Sequence, residues 1–423
     1  MPRSPALFTA PHGRPGGHQT GCRRQKTRRR PASGLRRSKA LLFAGTVLLT
    51  HAVCGATFQI ADPIEFRKII NTNSVLSTNA TINSWLEGPV WIPDGGYLLF
   101  CDQNNNRLKK LVPPGTVTDF LVPPANTLIN GTMLDAHEQL IAAEAGGSAL
   151  RIVIITNGIA APLCSTCNGL KFYSPNDVAI KSDGTIWFTD PGYNGGIGNP
   201  PQPGFQPGYY VYQFNPTNGD GSCVPVITNG LIRPNGLAFS PDESKLYVAD
   251  SDTTRHNIHV YSVSPSNTLS GGAVFATVTN GIPDGIRCDL EGRVWSSGGD
   301  GAYIFATDGH LVGKIKFGTI ANLCFGGPQY KTLYMTGQPV VASLPVLVAG
   351  TPAIKTIRIH SDAEGIALSW NAPSTGFVLQ ESDAPEFPEA WTNSSLTPVV
   401  TNGFNMVKPD PTNSVRFYRL HLD

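Results

Sequence analysis

The sequence predicts an all-β protein, a six-bladed β-propeller followed by a small β-sandwich-like C-terminal module. Three observations support this class: a turn-rich composition, a repeated strand–turn–strand unit, and a change of pattern after about residue 350. The 423-residue chain has 45 Gly, 35 Pro and only 15% charged residues, which favours sheets joined by tight turns over helices. We therefore expect a leader over residues 1–56, a propeller over 57–348 and a β-module over 349–423.

The leader is strongly basic, and the rest of the chain is acidic. The first forty residues contain eleven Lys or Arg and no Asp or Glu, and since the whole chain carries a formal charge of +2, the remainder carries −9. Nucleic-acid binding calls for a basic face on the folded domain, so we expect no nucleic-acid partner. An acidic folded part is compatible with cation binding.

An apolar run ending in small residues follows the basic segment, over residues 40–56. This order is typical of a bacterial-type secretory signal peptide, cleaved near Gly55 or Ala56. It predicts export to the periplasm or the medium and no integral membrane span in the mature chain. A signal anchor or a lipoprotein is the alternative, but His51 interrupts the run, which is short for a bilayer span, and Val53 is a poor residue before a lipidated cysteine. An upstream start codon and a twin-arginine signal both remain open for the long leader.

Strand–turn–strand units then repeat along the chain. Four of them begin with a polar residue of the metal-ligand type: Glu87 (EGPVWIPDGGYLLFCD), Asn176 (NDVAIKSDGTIWFTD), Asn235 (NGLAFSPDESKLYVAD) and Asp284 (DGIRCDLEGRVWSSG). Two more begin at Asn130 and Asn322. The markers Glu87, Gly131, Asn176, Asn235, Asp284 and Asn322 are 44, 45, 59, 49 and 38 residues apart. Six units of this length, each supplying four short strands, indicate six blades.

The repeat places one polar residue at the same end of every inner strand. Blades arranged around an axis would bring Glu87, Asn176, Asn235 and Asp284 together. Two carboxylates and two amide oxygens suit one divalent cation, with Ca²⁺ the best fit and Mg²⁺, Mn²⁺ or Zn²⁺ as alternatives. Taken singly, each residue is also a common turn or strand-capping residue, so the prediction rests on their recurrence in phase.

The ordered motifs resemble those of the regucalcin and gluconolactonase family of six-bladed propellers. The resemblance covers roughly residues 80–340 and rests on these segments: EGPVW, SPNDV with FTDPGY, RPNGLAFSPD with LYVADS, PDGIRCDLEG and CFGGPQYKTLYMT. It implies a divalent cation in the central channel, bound by Glu87, Asn235 and Asp284. Asn176 would lie beside the cation or reach it, and would contact substrate.

The resemblance also implies a metal-dependent hydrolase that opens a lactone or similar ester. The metal would polarise the carbonyl, and Asp284 would orient or deprotonate the attacking water. Asp190 and Asp250, at the ends of second strands, are candidates for substrate contact or for the base, unless they close their hairpins by binding backbone amides. The alternative function is a non-catalytic calcium-containing propeller that binds a carbohydrate or protein partner.

Two features depart from a simple transfer of substrate identity. Family members that act on sugar acids often carry Arg two residues before the Asn of the second or third blade, and Ser174 occupies that position here. Residues 192–210 form a long Gly- and Pro-rich insertion at the same rim, either a wall over the channel or a bare surface loop.

The remaining reactive residue types favour no competing chemistry. Cys164 and Cys167 form a CSTC pair without a partner pair at zinc-site spacing, so a local disulfide or two plain loop cysteines is the interpretation. Cys288 and Cys324 fall on neighbouring inner strands, as buried thiols or a disulfide. The positions of His137, His256 and His259 on turns or outer strands disfavour a general base, and the chain has no GxSxG motif of a serine hydrolase.

The last seventy or so residues differ in character from the repeats. Short strand patterns with Trp370, Trp391, Phe417 and Tyr418 as core aromatics predict a small β-sandwich. This module contains no cluster of catalytic residue types. It either attaches the protein to a surface or acts as a passive stabilising cap.

Overall fold

The computed structural model describes residues 53–55, 57–93, 95–135, 138–193, 198–352, 357–362, 365–371, 377–385, 390–401, 404–410 and 416–422. Six successive antiparallel sheets of four or five strands, each formed within these residues, are the blades of a propeller, as predicted. None of the helices formed by these residues is long and apolar enough to cross a membrane. The predicted leader, up to residue 52, and His137 lie outside the described residues.

The first described strands are outer strands of the last two blades. Strand β1 (Val53–Gly55) and strand β2 (Thr57–Ile60) precede helix α1 (Pro63–Ile69) and strand β3 (Val75–Thr81). Helix α1 starts there because Asp62 accepts the backbone N–H groups of Ile64 and Glu65, both at 3.0 Å, and proline occupies the first helical position. Its buried face carries Phe66 and Ile69.

Blades 1 to 4 follow in chain order, each as an up-and-down sheet whose first strand lines the central channel. Blade 1 consists of β4 (Leu86–Ile92), β5 (Tyr97–Asp102), β6 (Arg107–Val112) and β7 (Thr116–Leu121). Blade 2 consists of β8 (Ile129–Leu134), β9 (Leu140–Gly146), β10 (Ala149–Thr156) and β11 (Ile159–Cys164), and a short hairpin, β12 (Thr166–Cys167) and β13 (Leu170–Lys171), follows it. Blade 3 consists of β14 (Val178–Ile180), β15 (Ile186–Thr189), β16 (Val211–Phe214) and β17 (Val224–Ile227), with a 3₁₀ turn at Pro216–Asn218. Blade 4 consists of β18 (Pro234–Phe239), β19 (Lys245–Asp250), β20 (Asn257–Val263) and β21 (Leu269–Thr277).

Blades 5 and 6 are completed by strands from the start of the chain. Blade 5 consists of β22 (Ile286–Cys288), β23 (Val294–Ser296), β24 (Gly301–Phe305) and β25 (Leu311–Lys316), and β2 pairs with β25. Blade 6 consists of β26 (Ile320–Gly326), β27 (Thr332–Gly337) and β28 (Val340–Pro345), with β3 and then β1 outside them. Because β3 pairs with β28, the two ends of the propeller close in one sheet, which fixes the ring.

The predicted hairpin turns form for local reasons. In the SDGT turn, Asp183 accepts the backbone N–H of Thr185 at 2.9 Å, and Gly184 has φ of +83°, a conformation that favours glycine. In the DLEG turn, Asp289 accepts the N–H groups of Glu291 and Arg293, both at 3.0 Å. These turns set the register of the inner two strands of blades 3 and 5, and so the position at which each inner strand begins.

Aromatic and aliphatic side chains between adjacent blades form the core. Trp187 of blade 3 is fully buried and meets Phe239 of blade 4 edge-on, with ring centroids 5.4 Å apart. Trp91 of blade 1 stacks on Tyr334 of blade 6 at 5.5 Å. Full burial of such side chains contributes about 1.5–3 kcal/mol each, so contacts between neighbouring blades hold the channel in shape.

The C-terminal module consists of two sheets. One contains β29 (Arg358–Asp362), β30 (Gly365–Asn371), β33 (Val399–Thr401) and β34 (Phe404–Val407), and the other contains β31 (Phe377–Ser382), β32 (Thr392–Asn393) and β35 (Phe417–Leu422). Leu368 and Trp370 of the first sheet cluster with Leu379 of the second. The sandwich-like module predicted from the sequence is therefore confirmed, while its start at residue 349 stays a prediction.

Candidate metal centre

The polar residues that begin the inner strands are tied together at one end of the channel by backbone hydrogen bonds between blades. The N–H of Gly131 donates to the carbonyl of Asn176 at 2.7 Å, and the N–H of Gly236 donates to that of Asp284 at 3.0 Å. A Cβ atom at Gly236 would lie 2.1 Å from the Asp284 carbonyl oxygen, inside any allowed contact distance. The glycine after the polar residue is thus required by the close approach of neighbouring blades.

Glu87 is the carboxylate of blade 1 and is 4% exposed. Its Oε1 accepts the indole N–H of Trp85 at 2.9 Å, and its Oε2 accepts the side-chain amide of Asn322 at 3.3 Å. In the sequence, Asn322 only marks the repeat of blade 6, and its contact with Glu87 was not predicted. Its position before the inner strand, shared with the other polar residues, was the signal available.

Asp284 of blade 5 meets both Glu87 and Asn235. It is partly buried, and its carboxyl group lies within hydrogen-bonding reach of the side chains of Asn235 and Glu87. Burial raises the pKa of Glu87 to about 7, against hydrogen bonds from Trp85 and Asn322 that lower it. Burial first, and then the Glu87 carboxylate, raise the pKa of Asp284 well above its usual range. The structure therefore brings residues from blades 1, 4 and 5 together, and their role as metal ligands stays a prediction.

Two observations show that this cluster fits a cation. Asn235 is 3% exposed, and its Oδ1 is buried without a hydrogen-bond partner. Two carboxylates that share a buried site repel each other unless a proton or a cation lies between them. Among the described residues, no three His, Cys, Asp or Glu side chains group as a metal site. The oxygen donors beyond the two carboxylates would therefore come from amides such as Asn235, which suits a hard divalent cation.

Asn176 lies at the same end, on blade 3, and is 6% exposed. Its backbone joins the ring of inter-blade bonds through Gly131, and its backbone N–H donates to the carbonyl of Thr189 at 2.8 Å. The next residue, Asp177, is fully buried and bonds Arg287 of blade 5 across the channel, with 3.3 Å between Oδ2 and Nη1. This ion pair was not predicted from the sequence, because partners 110 positions apart leave no local pattern.

Asp190 and Asp250 are fully buried, and both bind backbone amides. Asp190 accepts the N–H groups of Tyr173 at 2.8 Å and Ser174 at 2.5 Å. Burial raises the pKa of Asp190 to about 7, against these two hydrogen bonds. Asp250 accepts the N–H of Arg233 at 2.8 Å and that of Ile232 at 3.1 Å. Each carboxylate fixes the backbone two residues before a predicted ligand, Asn176 or Asn235.

The insertion at 192–210 contacts the rim of the channel through its described residues. The Tyr193 side chain lies within hydrogen-bonding reach of Ser251. It also lies within electrostatic range of the Asp284 carboxylate. The guanidinium of Arg233 lies 4.3 Å from the Tyr209 ring centroid, and it donates to the carbonyl of Pro191 at 2.5 Å. Ser174 occupies the position at which family members that act on sugar acids often carry Arg. It donates its hydroxyl to the carbonyl of Ala145 at 2.8 Å. The described residues of the insertion therefore form a wall beside the candidate metal centre, and the Arg233 side chain packs against this wall.

Six cysteines whose side chains the structure describes are buried free thiols: Cys101, Cys164, Cys167, Cys223, Cys288 and Cys324. Cys223 contacts both Cys164 and Cys167 by hydrogen bonding. The CSTC motif relates Cys164 only to Cys167, and the contact with Cys223, which is 56 positions from Cys167, was not predicted.

His256 and His259 lie in a loop and on an outer strand, which are the positions expected from the sequence. His259 lies on the third strand of blade 4 and is buried, which lowers its pKa. His256 lies in the loop before that strand and contacts the carbonyl groups of Gly281 and Thr253.

Comparison with known proteins agrees with this architecture. The model of the SMP-30/gluconolactonase/LRE-like region matches residues 85–338. A gluconolactonase of Zymomonas mobilis is 32% identical over 292 residues, covering 63% of this chain and 80% of the relative. A pentonolactonase of Haloferax volcanii is 25% identical over 256 residues, covering 59% and 80%. The structure of a gluconolactonase of Xanthomonas campestris superposes with a TM-score of 0.62 at 31% identity, covering 71% of this chain and 99% of the other.

Proposed function

The chain belongs to the SMP-30/gluconolactonase/LRE-like family, and from this premise we propose that it is a lactonase that hydrolyses a sugar lactone or similar cyclic ester at a divalent cation held at the hub of the propeller. One observation carries the proposal. Glu87, Asn235 and Asp284 come from three different blades and meet at one end of the channel, with a buried amide oxygen of Asn235 left without a partner. The lactonase activities named for the relatives support the choice of a lactone as substrate.

Glu87, Asn235 and Asp284 are the residues that would hold the cation, and Asn176 would be the fourth ligand or a substrate contact. When bound, the cation supplies Lewis-acid polarisation of the lactone carbonyl. The donors are carboxylate and amide oxygens, so Ca²⁺ is the ion that we propose first, before Mg²⁺, Mn²⁺ or Zn²⁺. Asn322 and Trp85 orient Glu87 through their hydrogen bonds.

Asp284 is the residue we assign to the attacking water. Its carboxylate lies within reach of the Asn235 amide and beside the Glu87 carboxylate, and near the Tyr193 side chain at the rim. A carboxylate in this position can accept the proton of water as the oxygen adds to the carbonyl carbon. The ring C–O bond then breaks, and the ring oxygen leaves as an alkoxide that takes the proton from Asp284 and becomes a hydroxyl. The product is the open hydroxy acid.

Substrate contact is assigned to Asn176 and to the wall built by the insertion. The Tyr193 side chain is close enough to Asp284 for the Asp284 charge to raise its pKa, so we assign it to the face of the wall that a bound lactone would contact. The hypothesis that Asp190 and Asp250 contact substrate stays a prediction. Their bonds to backbone amides support a positioning role instead, because each holds the segment leading into Asn176 or Asn235.

We also propose that the protein is exported. The basic leader and the apolar run up to Ala56 support this. Cleavage near Gly55 or Ala56 would keep β2 in blade 5 and remove only β1, an edge strand of three residues outside β3. Fractionation of the native host followed by N-terminal sequencing tests it. A mature chain starting near Thr57 in the periplasm or medium is expected, and an intact N-terminus on cytoplasmic protein would contradict export.

Turnover of a lactone panel tests the activity itself. Aldonolactones and aryl esters are offered to the protein as purified, after chelator treatment, and after re-addition of Ca²⁺. We expect aldonolactone hydrolysis that chelation abolishes and the cation restores, and that Asp284→Asn lowers by at least a hundredfold while its circular dichroism spectrum stays native. Asp308→Asn, which removes an exposed carboxylate, is the matched control. A folded, cation-loaded protein that hydrolyses none of the panel would favour the non-catalytic binding alternative.

A further inference from the structure

A cavity of about 110 Å³ opens around the channel axis beyond the metal centre. Its lining residues follow the candidate ligands along the same strands: Val90 and Trp91 follow Glu87, Ala238 follows Asn235, and Arg287 follows Asp284. A strand rises about 3.3 Å per residue, so three residues place the cavity roughly 10 Å from the metal centre. It is therefore a separate compartment of the same channel.

One part of the wall of this cavity is apolar and rigid, and the other part carries charged and hydroxyl side chains, including Glu243. Trp91, Phe239 and Phe325 supply aromatic surface from blades 1, 4 and 6. The stack of Trp91 on Tyr334 and the edge contact of Phe325 with Trp295, at 5.3 Å, hold two of these rings in place. A purely apolar cavity of about 150 Å³ binds benzene, so the apolar part of this wall suits a ligand no larger than a single ring.

One polar group in the wall has an unused hydrogen-bonding position. Arg287 is 11% exposed. Its Nη1 bonds Asp177 and the carbonyl of Ile286, but its Nη2 is buried without a hydrogen-bond partner among the described residues. A guanidinium carries a permanent charge and prefers carboxylates, which it can bind through two N–H groups. The free Nη2 group of Arg287 therefore favours the binding of an anion.

Other polar side chains of the lining already have partners within the chain. Lys181 bonds Asp183 at 3.2 Å, Ser182 bonds Glu243, and Ser240 bonds Asp242 at 2.5 Å. Little is left to pair with the hydroxyl groups of a sugar acid, and an unpaired hydroxyl in an apolar cavity is costly. The walls thus select against the product of the proposed reaction.

We propose that this cavity is a second ligand site, which binds a small apolar monocarboxylate, with a single aromatic ring or a short branched chain against Trp91, Phe239 and Phe325 and its carboxylate on Nη2 of Arg287. The site does not depend on the proposed lactonase activity. It lies beyond the Asp177–Arg287 ion pair, on the far side from the lactone.

Calorimetric titration of the cation-loaded full-length protein with benzoate tests the site, and quenching of Trp91 fluorescence gives a second readout. Benzamide, its neutral analogue, and gluconate are the ligand controls. We expect benzoate to bind with one-to-one stoichiometry and at least tenfold more tightly than either control. Equal affinity for benzoate and benzamide, or no binding of benzoate, would overturn the proposal.

Three variants locate the binding while keeping a positive charge at position 287. Ala238→Phe fills the cavity and should weaken benzoate binding at least tenfold. Ala273→Phe adds the same ring at an exposed position of blade 4 and should leave it unchanged. Arg287→Lys keeps a cation beside Asp177 but loses the planar fork, and should weaken binding severalfold. Benzoate affinity unaffected by Ala238→Phe in a folded protein would place the ligand elsewhere and refute the site.

Discussion

Replacing Glu87 by Gln should remove a pH-dependent penalty from the metal-free protein. Burial raises the pKa of Glu87 from 4.5 to about 7. Between these values the folded state keeps the proton that the unfolded state has lost, so the stability of the wild type falls as pH rises through this window. At about 1.4 kcal/mol per pKa unit, the loss is about 3 kcal/mol above pH 7. Gln has nearly the same shape and does not ionise.

Urea unfolding of metal-free protein between pH 4 and 8 measures this effect, with fluorescence of the buried Trp187 and Trp295 as the signal. Asp190 also titrates near pH 7, so the informative quantity is the free energy of unfolding of Glu87→Gln minus that of wild type. This difference should rise by about 3 kcal/mol from below pH 4.5 to above pH 7. The exposed control Asp308→Asn should show no such rise.

Cation addition gives the reverse comparison. Binding to the folded state stabilises it by mass action, by about 2.7 kcal/mol at a hundredfold excess over the dissociation constant. Wild type at pH 7.5 should gain this stability from Ca²⁺, and Glu87→Gln should gain much less. A difference between variant and wild type that stays constant with pH, together with equal stabilisation by Ca²⁺, would refute the burial of Glu87 beside a cation site.

Further predictions concern the surroundings of the centre. Asp250→Asn should weaken cation binding about tenfold and cost roughly 1.5–3 kcal/mol of stability, because it loses charge-assisted bonds to two amides; unchanged calcium affinity by calorimetry would argue against a positioning role. Tyr193→Phe should raise KM for the lactone severalfold with an unchanged melting temperature, and unaltered steady-state kinetics would remove Tyr193 from the substrate wall. Oxidation with diamide, which takes two hydrogens from two thiols, should link Cys223 to Cys164 or Cys167; peptide mapping that finds all three still alkylated would show that their contact does not form a disulfide.

The sequence was sufficient to predict the propeller and the convergence of Glu87, Asn235 and Asp284. The reason is that a repeated unit fixes both the blade and the end of the blade at which its first residue lies. Phase along the chain therefore translates directly into position around the axis. For the same reason Asn176 lies at the end of the channel where Glu87, Asn235 and Asp284 meet.

The partners of buried side chains could not be predicted in the same way. Asp190 and Asp250 lie where the repeat placed them, but their rotamers point to backbone amides rather than to the channel axis. The ion pair of Asp177 with Arg287 crosses the channel between blades 3 and 5. Tyr193 reaches Ser251 from an insertion with no counterpart in the repeat. Each of these contacts depends on tertiary geometry, which neither spacing nor composition contains.

Anomalous X-ray scattering from crystals soaked in Mn²⁺ tests the central claim most directly. We predict one strong peak at the hub, about 2.0–2.6 Å from a carboxylate oxygen of Glu87, Oδ1 of Asn235 and a carboxylate oxygen of Asp284. The peak should vanish in Asp284→Asn crystals of the same form. No peak at the hub, or a peak whose ligands exclude these three residues, would contradict the account.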